Sequence, residues 1–395
     1  MDNGFLYSSG ASNQTRKGKQ LLRLIRAAQR ISRTEIAERL EIDKSTVSEK
    51  VTPLIRAGIL REDPPSKTDR SARARILSYA DEGRFFVGVN LGVRRSQVGL
   101  TTLGGEVTDE SEFETPKTAS YALRLARERI DQLVKKYPDR ELAVVGVSVP
   151  GMADAKRESL VFAPNLKWRD LDIASVFRVN SSTRVVVEND STAAAMYEAR
   201  MKIRNSDDGL MSNFILVRSG TGIGVGLVIG GEVYRGTGAG RGMAGEFGHM
   251  TIVAGGKPCV CGNSGCWEQY ASAAAAASLY TGDKPLSSGE KMPRFVDIVA
   301  KAEVGEVRSR RTLERIGDYL GIGIANVIMG IGIPRVIISG RLVYAWDFIR
   351  EPLNEAVRRS IIGKLDTWSV EAGQPAGSAL GGAIEVAVEE YLGNL

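Results

Sequence analysis

Apolar residues recur at helical spacing from Arg16 onward, with Leu21, Leu22, Leu24, Ile25 and Ala28 on one stripe and Arg23, Arg26 and Arg30 between them. That period predicts an opening helix. Ser32-Arg-Thr-Glu35 then has the spacing of a capping box and predicts a second helix from about Arg33 to Leu40. Asp43 is placed to cap a third, whose inward positions are Val47, Val51, Leu54 and Ile55 and whose end is Gly58. Two strands follow, Ile59–Arg61 and Ala72–Tyr79, around a loop from Pro64 to Ser71. Three helices with a tight turn between the last two, followed by a strand pair, describe a winged helix-turn-helix. After Arg84 the period changes to strand hairpins and then to alternating helices and strands, including Glu141–Val149, Arg184–Glu188 and Arg335–Ser339.

One phrase occurs twice in this second region. Val98-Gly-Leu-Thr-Thr-Leu-Gly-Gly-Glu-Val107 is echoed, one residue shorter, by Val225-Gly-Leu-Val-Ile-Gly-Gly-Glu-Val233. An internal duplication is the economical reading. It predicts two α/β lobes with a cleft between them. The expected organisation is a DNA-binding domain over 1–84, a first lobe over 85–210 and a second over 211–395.

Charge follows the same division. Residues 1–84 carry 17 Lys and Arg against 11 Asp and Glu, while the other 311 residues carry 36 of each. The whole formal charge of +6 therefore belongs to the first fifth, as expected of a nucleic-acid-binding module on a neutral body. Lys44, Ser45, Thr46, Ser48 and Lys50 on the third helix, with Arg33 before them, are placed for major-groove contact. Arg70, Arg73 and Arg75 in the wing suit phosphate or minor-groove contact. A protein-interaction module with a solvated basic face is the plainer alternative.

The chain of 395 residues has 3 Cys and 1 His, which excludes a disulfide scaffold and multi-histidine catalysis. All four fall within 18 consecutive residues, as His249, Cys259, Cys261 and Cys266. One imidazole and three thiolates suit a closed tetrahedral zinc site with a structural role. Three buried free thiols and an unrelated histidine would be the alternative. No apolar run reaches the ~18 residues of a membrane helix, so a cytoplasmic protein without membrane partners is expected.

Gly245-Glu-Phe-Gly-His249 followed by Cys259-Val-Cys-Gly-Asn-Ser-Gly-Cys-Trp-Glu268, with Gly220-Thr-Gly-Ile-Gly-Val-Gly226 upstream, resembles the signature of the ROK family of repressors, open reading frames and sugar kinases. With a winged helix in front, the chain is similar to the repressor branch typified by the xylose-operon and N-acetylglucosamine repressors. The resemblance implies an actin-like, ribonuclease H-like body that binds a sugar between its lobes. It also implies that Asn165, Asn189, Asp190, Glu246, His249 and Glu268 hold sugar hydroxyls. In family kinases the aspartate at Asp190's position is the general base. Those kinases also need an Asp-x-Gly-Gly-Thr turn for phosphate, where this chain has Asn90-Leu-Gly-Val-Arg94. The expectation is a sugar- or sugar-phosphate-responsive repressor that binds operator DNA as a homodimer or higher homo-oligomer and has no enzyme activity, with an ATP-dependent sugar kinase as the rival.

Overall fold

The N-terminal apolar stripe becomes helix α1 (Asn13–Ala28), in which Leu21, Leu24 and Ile25 are wholly buried. The computed structural model describes residues 13–64, 75–80, 83–205, 213–237, 242–282, 292–374 and 377–395. After α1 come β1 (Ile31–Ser32), α2 (Arg33–Arg39), α3 (Lys44–Arg56), β2 (Leu60–Asp63) and β3 (Ile76–Tyr79), with strand order β1-β3-β2. Val47 and Val51 turn α3 inward. Gly58 at φ +69° closes α3 with paired bonds, Gly58 N–H to Ile55 O and Ile59 N–H to Leu54 O.

Two caps differ from expectation. The Glu35 amide donates to Ser32 Oγ at 3.1 Å, but the reciprocal half of the capping box gives way to the pairing of Ser32 with Ile76 across β1 and β3. Asp43 holds the N-cap position of α3, yet its exposed carboxylate makes no capping bond. Arg70 and Arg73 lie outside the described residues.

The body begins with β4 (Arg84–Leu91), β5 (Arg95–Thr101), β6 (Thr108–Glu114), α4 (Ala119–Lys136), β7 (Glu141–Val149) and β8 (Met152–Ala153). It continues with β9 (Ser159–Ala163), β10 (Trp168–Asp172), α5 (Ile173–Phe177), β11 (Arg184–Asn189) and α6 (Asp190–Asn205). The second lobe contains β12 (Phe214–Ser219), β13 (Ile223–Ile229), β14 (Glu232–Tyr234), α7 (Glu268–Ala271), α8 (Ala273–Thr281), α9 (Phe295–Glu303) and α10 (Val307–Ile331). It ends with β15 (Arg335–Gly340), α11 (Trp346–Arg358), β16 (Ser369–Ala372) and α12 (Ser378–Leu392). The main sheets have orders β11-β7-β4-β5-β6 and β16-β15-β12-β13-β14. In each, an antiparallel meander of three strands continues through its first strand into two parallel neighbours. The duplicated phrase occupies β5 and β13, the second strand of each meander.

The last helix departs from a division at 211–395. Helix α12 packs on the first lobe's sheet, so closely that a Cβ on Gly146 of β7 would lie 2.3 Å from Ala383 O and 2.5 Å from Ala387 N. Side chains of α12, α6 and the winged domain share one apolar core.

Polar contacts reinforce this joint. Arg26 of α1 is 1 % exposed and donates to both oxygens of Glu385 on α12, at 3.3 and 3.0 Å. Arg200 of α6 reaches the same carboxylate at 2.9 Å and Glu106 at 3.2 Å. Arg23 of α1 holds Glu389. Burial works against the Glu385 carboxylate, but the two guanidiniums keep it below the usual carboxylate range. Arg23 and Arg26, counted toward a DNA-facing charge, are therefore occupied by the body.

Candidate functional site

The carboxyl ends of the parallel strands in both sheets open into one cleft of about 720 Å³, the usual place for a ligand in open α/β sheets. Asn165, Asn189, Asp190, Glu246, His249 and Glu268 all line it. Asn189 ends β11 and Asp190 begins α6. Asn189 is already well employed: its Oδ1 accepts from the amides of Ser191 and Thr192 at 2.8 and 3.2 Å, and its Nδ2 donates to Gly151 O at 3.1 Å. It caps α6 and ties it to the β7–β8 turn, so its side chain sets the position of Asp190. The Asp190 carboxylate accepts from Arg218 at 2.5 Å and from Ser191 Oγ at 3.2 Å.

Glu246 and His249 lie on a single 3-10 turn, Glu246–His249, and Glu268 opens α7. His249 Nε2 is 3.9 Å from Glu246 Oε2, while its Nδ1 is 3.6 Å from Glu268 Oε1. Burial pushes the Glu246 carboxyl above its ordinary range, against the pull of His249. Glu268 is buried, and its Oε2 would lie 2.2 Å from a Cβ on Gly222. The glycine loop is therefore small where a carboxylate must reach the cleft. Carboxylates and amides at this density can accept and donate to vicinal hydroxyls and reject a ligand that lacks one.

Behind His249 stands the thiol cluster. The four ligand atoms of His249, Cys259, Cys261 and Cys266 lie within 4.8 Å of one another. His249 Nδ1 is 3.5 Å from Cys259 Sγ, and Cys261 Sγ is 3.7 Å from Cys266 Sγ. These match the edges of a tetrahedron, about 3.6 and 3.8 Å, around an ion held by imidazole and thiolate. The residues fit a metal. Burial pushes the Cys259 thiol up to about 12, so ion binding must displace its proton. With Nδ1 turned to the thiols, an ion held there would leave the ring proton on Nε2, which lies 3.9 Å from Glu246 in the cleft.

On the other module, Lys44 and Ser45 are exposed at the start of α3, and Thr46 and Ser48 are half-buried. Lys50 turns back so that its ammonium lies beside Gly18 of α1. Arg33 gives its guanidinium to Glu62 at 2.8 and 3.2 Å, and Arg75 approaches the same carboxylate at 3.7 Å.

A model of the ROK family matches residues 86–389, and a winged helix-turn-helix DNA-binding model matches residues 14–61. The chain belongs to the ROK family. A xylose repressor of Bacillus subtilis (strain 168) is 29% identical over 350 residues, covering 88% of each chain. The crystal structure of a ROK family transcriptional regulator, a homologue of the E. coli MLC protein, has a TM-score of 0.74 at 23% identity, covering 96% of this chain and 97% of that one. A ROK glucokinase from Streptomyces griseus, in complex with glucose and AMPPNP, has a TM-score of 0.66 at 26% identity, covering 77% of this chain and 99% of that one. The ROK body and the winged domain thus form one chain of repressor-like architecture, and no described helix is long and apolar enough to cross a membrane.

Sequence reasoning missed Arg218 and Arg341 as cleft residues. A signal was present, since each is a lone cation at the end of an apolar strand, in Phe214-Ile-Leu-Val-Arg-Ser219 and in Val336-Ile-Ile-Ser-Gly-Arg341.

Proposed function

We propose that this chain is a sugar-responsive repressor that binds operator DNA through its winged domain and a small sugar in the interlobe cleft. The observation that carries the reading is the course of α6. Asp190 in the cleft is its first residue, and Arg200 near its far end holds the Glu385 carboxylate that also holds α1. Sixteen residues of helix, about 24 Å long, thus join ligand site and DNA-binding domain. A sugar that favours one lobe arrangement biases α6, and with it the spacing of two winged domains in a homodimer. DNA half-sites recur about every 34–36 Å, so a small rotation breaks the register. Lys44, Ser45, Thr46 and Ser48 are the proposed groove contacts, with Lys50, Arg33 and the wing arginines supporting them.

The His249 and cysteine cluster is assigned to structural zinc, which would fix the loop and orient His249 and Glu268 toward the sugar. The chain acts as a sensor rather than a kinase. Asn90 stands where a kinase needs a carboxylate, and it is bound by Ser148 at 3.1 Å and Gln97 at 3.2 Å. Asp190 is paired with Arg218 rather than left open to take a proton. Gel shift on the chain's own promoter region, with and without a panel of pentoses and hexoses, tests the reading. One sugar should change the DNA affinity at least about tenfold, a coupling of typical allosteric size. DNA binding that ignores every sugar would refute the sensor.

A further inference from the structure

The cleft that holds the candidate hydroxyl-binding residues is lined by cations as well. Arg94 in the β4–β5 turn, Arg218 near the end of β12 and Arg341 just beyond β15 line the same cavity. The β12–β15 register pairs Ser219 with Gly340, which brings Arg218 and Arg341 to one mouth. Several groups around this cavity already have partners: Arg95 pairs with Glu112, Arg218 pairs with Asp190, and Glu268 accepts a hydrogen bond from the Cys259 thiol. The guanidiniums of Arg94 and Arg341 have neither a hydrogen bond nor an ion pair among the described residues, and the buried Nε of Arg218 also lacks an acceptor. The Arg341 charge is disfavoured first by burial and then by Arg94 and Arg218. Of these three guanidiniums only that of Arg218 has, among the described residues, a carboxylate partner, Asp190, which leaves donors over in a fork geometry that suits oxyanions.

We infer that the effector is a sugar bearing an oxyanion, a phosphate ester or a carboxylate, whose hydroxyls face Glu246, His249 and Glu268 and whose anion sits against Arg94 and Arg341. This rests on the sugar-sensor reading for the sugar and on the arginines for the charge, so the two can fail separately. A nucleotide is the less favoured anion, because Val93 and Arg94 crowd the turn that would have to approach its phosphates and Asn90 supplies no carboxylate for magnesium.

Titration calorimetry of the full-length protein with inorganic phosphate, against chloride at matched ionic strength, reads the anion site without knowledge of the sugar. Phosphate should bind, and Arg341→Gln and Arg94→Gln should each weaken it about tenfold. Phosphate that fails to bind, or that binds wild type and both variants alike, overturns the proposal. Glucose, glucose 6-phosphate and glucuronate then identify the anion's source. A phosphate ester or acid that binds more tightly than glucose, with the advantage erased in Arg341→Gln, supports the proposal and names which oxyanion is used. Neutral glucose binding as tightly as either overturns it and leaves the sensor standing. Arginine-dependent phosphate binding in a protein whose DNA affinity ignores all sugars keeps the anion site and removes the sensor. AMPPNP binding that needs both arginines and excludes phosphate would overturn the sugar assignment in favour of a nucleotide.

Discussion

Glu198 sits wholly buried on α6, and its carboxylate accepts from the Gln374 amide of the second lobe at 2.5 Å, while its other oxygen has no partner. Burial raises its pKa above the ordinary 4.5, so the folded protein keeps a proton that the unfolded chain releases. Above about pH 4.5 the folded state binds more protons, and stability therefore falls as pH rises toward the folded-state pKa. Glu198→Gln removes that term. Across pH 4.5 to 7, as thermal unfolding would show, the variant should gain stability relative to wild type as pH rises; a difference that is flat with pH would mean the carboxyl does not titrate there. Nothing in the local sequence marks Glu198, because its partner is 176 residues away. The six cleft residues were legible because the resemblance to the ROK family carries them by motif. The second employment of Asn189, as the cap of α6, was not.

At the scale of elements, patterns that depend on neighbours along the chain were readable. Strand β7 spans Glu141–Val149, the range expected from its apolar run, and the duplicated phrase found the equivalent strands β5 and β13. The thiol loop was readable for the same reason, its four ligands being local. Chelation of the purified protein should lower its unfolding temperature and expose the segment around 250–266 to protease, with metal content measured in parallel. In isolated zinc peptides the ion contributes about 10–16 kcal/mol of apparent binding energy. On the proposed assignment His249 would give one nitrogen to each site, so sugar affinity should fall with the metal; a metal-free protein with unchanged melting and ligand binding would remove zinc from the account. The face of α1 was read correctly as apolar, but its arginines were not. Periodicity identifies which side is buried and is silent on whether the cations beside it meet water, phosphate or a distant carboxylate.

At the scale of the molecule, one carboxylate holds two helices and a domain together. Glu385 is 3 % exposed between Arg26 and Arg200, and removing its charge leaves the buried Arg26 guanidinium without its carboxylate and Arg200 with Glu106 alone. Glu385→Gln should destabilise the protein by about 3–5 kcal/mol, measured by urea unfolding. At temperatures where the variant remains folded it should still bind DNA, while the effect of ligand on that binding is lost. Full retention of ligand response would place the coupling elsewhere.

The position of Glu385 in the chain has a further consequence. Arg26 must wait 359 residues for it. On the ribosome, helices α1, α2 and α3 emerge first, yet the carboxylates that seat α1, on Glu385 and Glu389, are made only after both lobes. At about 5–20 residues per second this interval is tens of seconds. Throughout it the winged domain has its DNA-facing helix but not its seat, so a nascent chain carries arginines still free for any polyanion nearby. Completion of α12 is the step that commits them to the body and brings the DNA-binding end under the control of the ligand cleft.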